Sequence, residues 1–102
     1  MKYFIIGDMD TVLGFSMAGV EGLSVTSRDE ADNAFSRALE DKENGVILIT
    51  ERIAELIRAR VDRYIFSVKF PLIVEIPDAL GPVEGKQDLR KMVNDAIGIK
   101  LQ

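Results

Sequence analysis

Lys2-Tyr-Phe-Ile-Ile-Gly-Asp-Met-Asp-Thr-Val-Leu-Gly-Phe15 decides the fold. Its continuous apolar run, Tyr3 to Ile6, reads as a fully buried strand. Gly7 and the acids behind it read as a sharp turn into a helix N-terminus. A strand-turn-helix opening of this kind implies a parallel sheet with helices on both faces. It sets Asp8 and Asp10 at the carboxyl end of the first strand, where open α/β sheets bind their ligands.

The same alternation continues outward. The first helix is expected from Asp8–Asp10 to about Ala18, with either Asp as cap, because a carboxylate accepts orphan amide hydrogens and suits the positive dipole end. Gly14 within it and Gly19 after it are expected to weaken it. Gly22 to Thr26 reads as a short second strand. Ser27 with Glu30 three residues on fits a capping box. Ala31, Ala34, Phe35, Ala38 and Leu39 then form the stripe of a second helix, which Asn44-Gly45 is expected to close. Val46 to Ile49 is a third buried run, with Thr50 as cap of a third helix. That helix carries Ile53, Leu56, Ile57, Val61, Tyr64 and Ile65 on one side, with Arg52, Glu55, Arg58, Arg60 and Arg63 available to water. Pro71 to Ile76 is the fourth strand, with proline tolerated at its start.

Asp78 to Gly85 holds Gly81 and Pro82 and reads as a loop or hinge. A last helix is expected over about Lys86 to Ile97, burying Leu89, Met92, Val93, Ala96 and Ile97, with Gly98 as its stop. The expected architecture is a small open four-stranded parallel α/β sheet in order 2-1-3-4, Rossmann-like or receiver-like, with helices on both faces and a C-terminal helix. Residues 1–78 form the α/β core. Residues 79–102 form the hinge and last helix, part of the same domain or conditionally docked.

Composition narrows the chemistry. With 102 residues, one domain is the natural reading, burying roughly two thirds of the surface its unfolded chain exposes. The chain has neither cysteine nor histidine. It therefore lacks disulfide and thiolate chemistry, the commonest general base and the commonest metal ligand. Its net charge of −4 and pI near 4.8 go with no basic stripe, which argues against nucleic acid. No apolar run approaches the ~20 residues that span a bilayer, and the first apolar run is too short for a signal peptide. A soluble intracellular protein is expected.

Five kinds of site come into question. A phosphate cradle after the first strand lacks its glycines and lysine, and its acids would repel phosphate. A receiver-type phospho-acceptor site has its first acids in Asp8 and Asp10, but strand three ends in Thr50-Glu51. Lys69 lies at the wrong end of strand four. Asp8, Asp10, Glu51 and Asp78 could offer oxygen ligands to magnesium or calcium. Caps and turns account for each acid more simply. No histidine activates a serine or threonine, and nothing in the spacing suggests a Ser-Lys pair. Phe15, Met17, Val20 and Leu23, and Phe66, Val68 and Phe70, read as core or as an interaction surface beside an exposed sheet edge.

The segments FIIGDMDTVLGFSMAGV, GVILITERIAELI, PLIVEIPD and AIGIKL, in this order and at this length, resemble the F subunit of the prokaryotic V-type (archaeal-type) rotary ATPases. The resemblance implies a noncatalytic part of the central rotor stalk. It implies no cofactor, binding to the coiled coil of the D subunit, and contact with the A and B subunits of the head through a movable C-terminal helix. It implies a cytoplasmic location peripheral to the membrane, without insertion. The best-matched surfaces are the GDMDTVLGF turn and the last helix. Expected partner-binding residues are thus Asp8, Asp10, Thr11, Phe15, Met17, Leu89, Met92 and Val93. The rival readings are a magnesium-dependent receiver-like or other enzymatic domain using Asp8 and Asp10, and a stand-alone regulatory binding domain.

Overall fold

β1 (Lys2–Gly7) stands in the middle of the sheet because its residues have nowhere else to go: Ile5 and Ile6 are both fully buried, on opposite faces. The structure, a computed structural model, describes residues 1–67, 70–78, 80 and 81. After β1 come α1 (Met9–Met17), β2 (Glu21–Ser24), α2 (Arg28–Glu40), β3 (Asn44–Thr50), α3 (Glu51–Leu56), α4 (Arg58–Ser67) and β4 (Leu72–Ile76). The four strands are all parallel, in order β2-β1-β3-β4. This is the order expected from the sequence. The expected last helix and most of the preceding hinge lie outside the described residues.

β2 lies on one side of β1 and β3 on the other. Right-handed crossovers to opposite sides put α1 and α2 on opposite faces. On the α2 face, Ile6, Ile47, Ile49 and Ile73 meet Ala31, Ala34, Phe35 and Ala38 of α2 and Ile53, Ile57 and Val61 behind them. Phe35 is fully buried, and the Tyr64 ring meets it edge-on at 5.8 Å between centroids. Burying such a ring contributes roughly 2–3 kcal/mol.

Several local expectations are corrected. The third helix is two helices. Ile57 breaks it at φ −127°, ψ 36°, and its carbonyl accepts from the amides of Arg60 and Val61. Periodicity could not see the break, because Ile53, Ile57 and Val61 hold the apolar phase through it. Leu56 and Ile65, expected inside, are 39% and 38% exposed.

Arg58 and Arg60, expected in water, are structural. Arg58 forms a two-pronged bond with Glu75 of β4, at 2.6 and 2.7 Å, and reaches Glu55 and Asp62 as well. Glu75 first, then these other carboxylates, make its guanidinium harder still to deprotonate, against the opposing effect of burial. Arg60 lies 5.0 Å above the Phe35 ring and donates to the Asp32 carbonyl and the Ser36 hydroxyl, tying α4 to α2.

Gly19 does not weaken α1 but ends it. At φ 87° it completes a Schellman stop, its amide donating to Ser16 and the Val20 amide to Phe15. Asn44 and Gly45 are not a helix stop. They open β3, and the Asn44 side-chain amide donates to the Ala38 carbonyl at 2.9 Å, satisfying the end of α2 from the strand. The capping box is displaced by one residue. Ser27 accepts from the Glu30 amide, but the Glu30 carboxylate accepts from the Thr26 amide and hydroxyl. Thr50 stands at the N-cap of α3 without a side-chain cap bond, its hydroxyl buried and unpaired.

Candidate interaction site

The early acids serve the backbone. Asp8 caps α1, accepting from the Thr11 amide at 3.1 Å and the Thr11 hydroxyl at 2.6 Å. Burial pushes its pKa up, but the two Thr11 hydrogen bonds, together with the backbone amides of Asp8 and Asp10, outweigh that and hold the carboxyl below the usual range. Asp10 is exposed in the first turn, where it faces the positive end of the helix. Glu51 is buried in the first turn of α3. Asp78 pairs with Arg52 at 2.9 Å and accepts from the Leu80 amide, closing a turn. Among the described residues, no group of three or more His, Asp or Glu side chains is arranged to hold a metal.

The expected partner-binding residues divide. Thr11 and Phe15 are half-buried and, with Val12, form the side of α1 that lies on the sheet. Met17 is 84% exposed. Leu89, Met92 and Val93 lie outside the described residues. Of the aromatic residues considered as a surface, Phe66 is 86% and Phe70 is 58% exposed. Leu23 packs on the core.

Sequence reasoning missed two residues, Met9 and Leu13. They are 73% and 57% exposed on α1, a helix with no buried residue at all. The signal was present: MDTVLGFSM is apolar on nearly every side, and such a helix is normally enclosed. Beside Met9 and Leu13 runs a shallow depression lined by Asp10, Thr11, Gly14, Phe15 and Ala18. Elsewhere a cleft of about 480 Å³ at the amino end of the sheet is lined by Phe4, Glu21, Arg37 and Asp41 among others. It sits opposite the strand ends where ligands of this architecture bind.

Residues 4–93 match the family model described as ATP synthase (F/14-kDa) subunit. The chain belongs to that family. It is 41% identical to the A-type ATP synthase F subunit of Pyrococcus furiosus, across 100% of this chain and 99% of that one. The A-type ATP synthase F subunit of Methanothermobacter thermautotrophicus is 36% identical, over 95% and 92% of the two chains. A crystal structure of the V-type ATP synthase F subunit from Archaeoglobus fulgidus shares the fold, with a TM-score of 0.59. It covers 74% of this chain and 95% of that chain at 24% identity.

Proposed function

We propose that this member of the F-subunit family is a noncatalytic part of the central stalk of a V/A-type rotary ATPase. It binds the coiled coil of the D subunit and so helps couple ATP synthesis or hydrolysis to proton or sodium transport. The full-length relation to the A-type ATP synthase F subunit carries the reading. The local duties of Asp8, Asp78 and Arg52 agree with it, since each is engaged in a cap, a turn or an ion pair. Residues 1–78 form the gripping body. Residues 79–102 carry a hinge and an amphipathic helix with Leu89, Met92 and Val93 on its apolar side, which docks conditionally and contacts the A and B subunits of the head. The protein works on the cytoplasmic side of the membrane, held there by its partners; among the described residues no helix is long and apolar enough to cross a bilayer.

The test is co-migration of the purified full-length chain with the D subunit through size exclusion. A stable complex is expected, and separate elution at micromolar concentrations refutes the reading.

A further inference from the structure

Helix α1 turns an apolar ridge away from the protein. Met9, Leu13 and Met17 recur every four residues, within one narrow arc at 100° per residue, opposite the half-buried Thr11, Val12 and Phe15. They are 73%, 57% and 84% exposed. Together they present on the order of 400 Å² of apolar surface, the size of the largest patch on a typical monomer, which is often functional. Beside the ridge runs a second row at the same spacing, Asp10, Gly14 and Ala18, which is low because two of its members are small. Apart from its chain neighbours and the backbone of α1 itself, no heavy atom lies within 4 Å of where a Gly14 Cβ would stand.

A ridge of large side chains beside a low groove, both on four-residue spacing, is the surface that another helix packs against. A strand would need unpaired backbone groups, which a helix flank does not offer. Methionines at two of the three ridge positions suit a surface that adjusts to its partner. Among the described residues, the charges around it have one dominant sign. Asp8 and Asp10 stand at the head of α1, and Glu21, with 70% of its side chain exposed, lies just past its end. Lys2 is the cation near Glu21, at 3.8 Å, and it is already held by Asp41 at 2.8 Å. α1 itself carries no basic residue.

We propose that the Met9–Leu13–Met17 ridge, with the Gly14–Ala18 groove, seats an amphipathic helix whose apolar stripe is edged by Lys and Arg. Resting on the function proposed above, that helix is one of those in the D-subunit coiled coil. Leu13 and Met17 are the anchors, Gly14 sets how closely the two backbones approach, and Asp10 orients the partner through its basic edge.

The test uses the full-length chain and the full-length D subunit, with affinity read by calorimetry and folding checked by a thermal melt of each variant. Leu13→Glu and Met17→Glu should each bind at least about 30-fold more weakly. Gly14→Leu should fill the groove and weaken binding, while all three melt within a few degrees of the unaltered protein, as exposed positions allow. Asp10→Lys should slow association and flatten its salt dependence. Asn33→Glu, on the exposed side of α2, should bind unchanged. Unaltered binding by both Leu13→Glu and Met17→Glu, with the parent chain bound tightly, overturns the ridge and leaves the proposed function standing. Failure of the parent chain to bind the D subunit overturns both.

Discussion

Gly14→Ala should make the isolated protein more stable, although it alters a helix on the surface proposed for binding. Gly14 is the sixth residue of the nine in α1, so both flanks are helical. Its φ is not in the left-handed region, where only Gly19 and Gly81 lie among the described residues. Nothing beyond its chain neighbours and the backbone of α1 stands within 4 Å of the added methyl. The fold therefore loses nothing, and the change reduces to intrinsic helix preference plus the narrower freedom of the unfolded chain. These favour alanine by about 1 kcal/mol. For a domain of this length that raises the melting midpoint by about 4–8 °C. Gly22 supplies the opposite case within the same protein. A Cβ there would overlap both Cγ2 and the carbonyl oxygen of Ile5, its cross-strand partner. Because one of those atoms is backbone, β2 must move, and Gly22→Ala should cost about 1–3 kcal/mol. Urea unfolding followed by circular dichroism, with equal slopes required, reads both. A Gly14→Ala midpoint at or below that of the parent would mean that α1 is not helical in the free chain, and the ridge on it would lose its basis.

Asp8→Ala should cost about 1 kcal/mol at neutral pH by removing the cap of α1. Because the folded-state pKa of Asp8 is lowered, its contribution is present above the unfolded value near 4 and disappears as pH falls through the folded one. The gap between parent and variant should therefore close below about pH 4, and a constant gap down to pH 2 refutes the assignment. Glu75→Ala leaves Arg58 partly enclosed without its two-pronged partner; it should cost about 2 kcal/mol, less than a fully buried pair, because Glu55 and Asp62 remain. A melt unchanged by Glu75→Ala would show that this pair contributes nothing. On the reading proposed above, in which residues 79–102 carry a conditionally docked helix, Val93→Asp should release that helix and leave residues 1–78 folded, because a buried unpaired charge costs several kcal/mol. Amide exchange that speeds up through β1 and β3 as well would make that helix part of the core.

Much of this protein was legible in its residues. Tyr3–Ile6 and Val46–Ile49 were legible as strands of a parallel sheet, because continuous apolar runs of that length call for cover on both faces. The expectation of full burial is corrected at Phe4, which is only partly buried. It is corrected too at Tyr3, which is 51% exposed, and at Val46 and Leu48, which are only partly buried, because the short α1 covers its face of the sheet incompletely. Strands alternating with helices, joined by right-handed crossovers, left few strand orders, and 2-1-3-4 is the one found. The stop after Ala18 and the cap at Ser27 follow from local chemistry that acts within a few residues.

What the chain could not announce were contacts between residues distant in sequence and the direction each helix face takes. Arg58 meets Glu75 across 17 positions and Asn44 reaches back to Ala38. Neither pairing has a period to betray it. The break at Ile57 preserves the apolar phase, so only the packed backbone reveals it. The ridge on α1 was hidden for the same reason. A helix apolar all round offers no favoured side, so which of its residues faces water was settled when Thr11, Val12 and Phe15 turned toward the sheet and left Met9, Leu13 and Met17 outside.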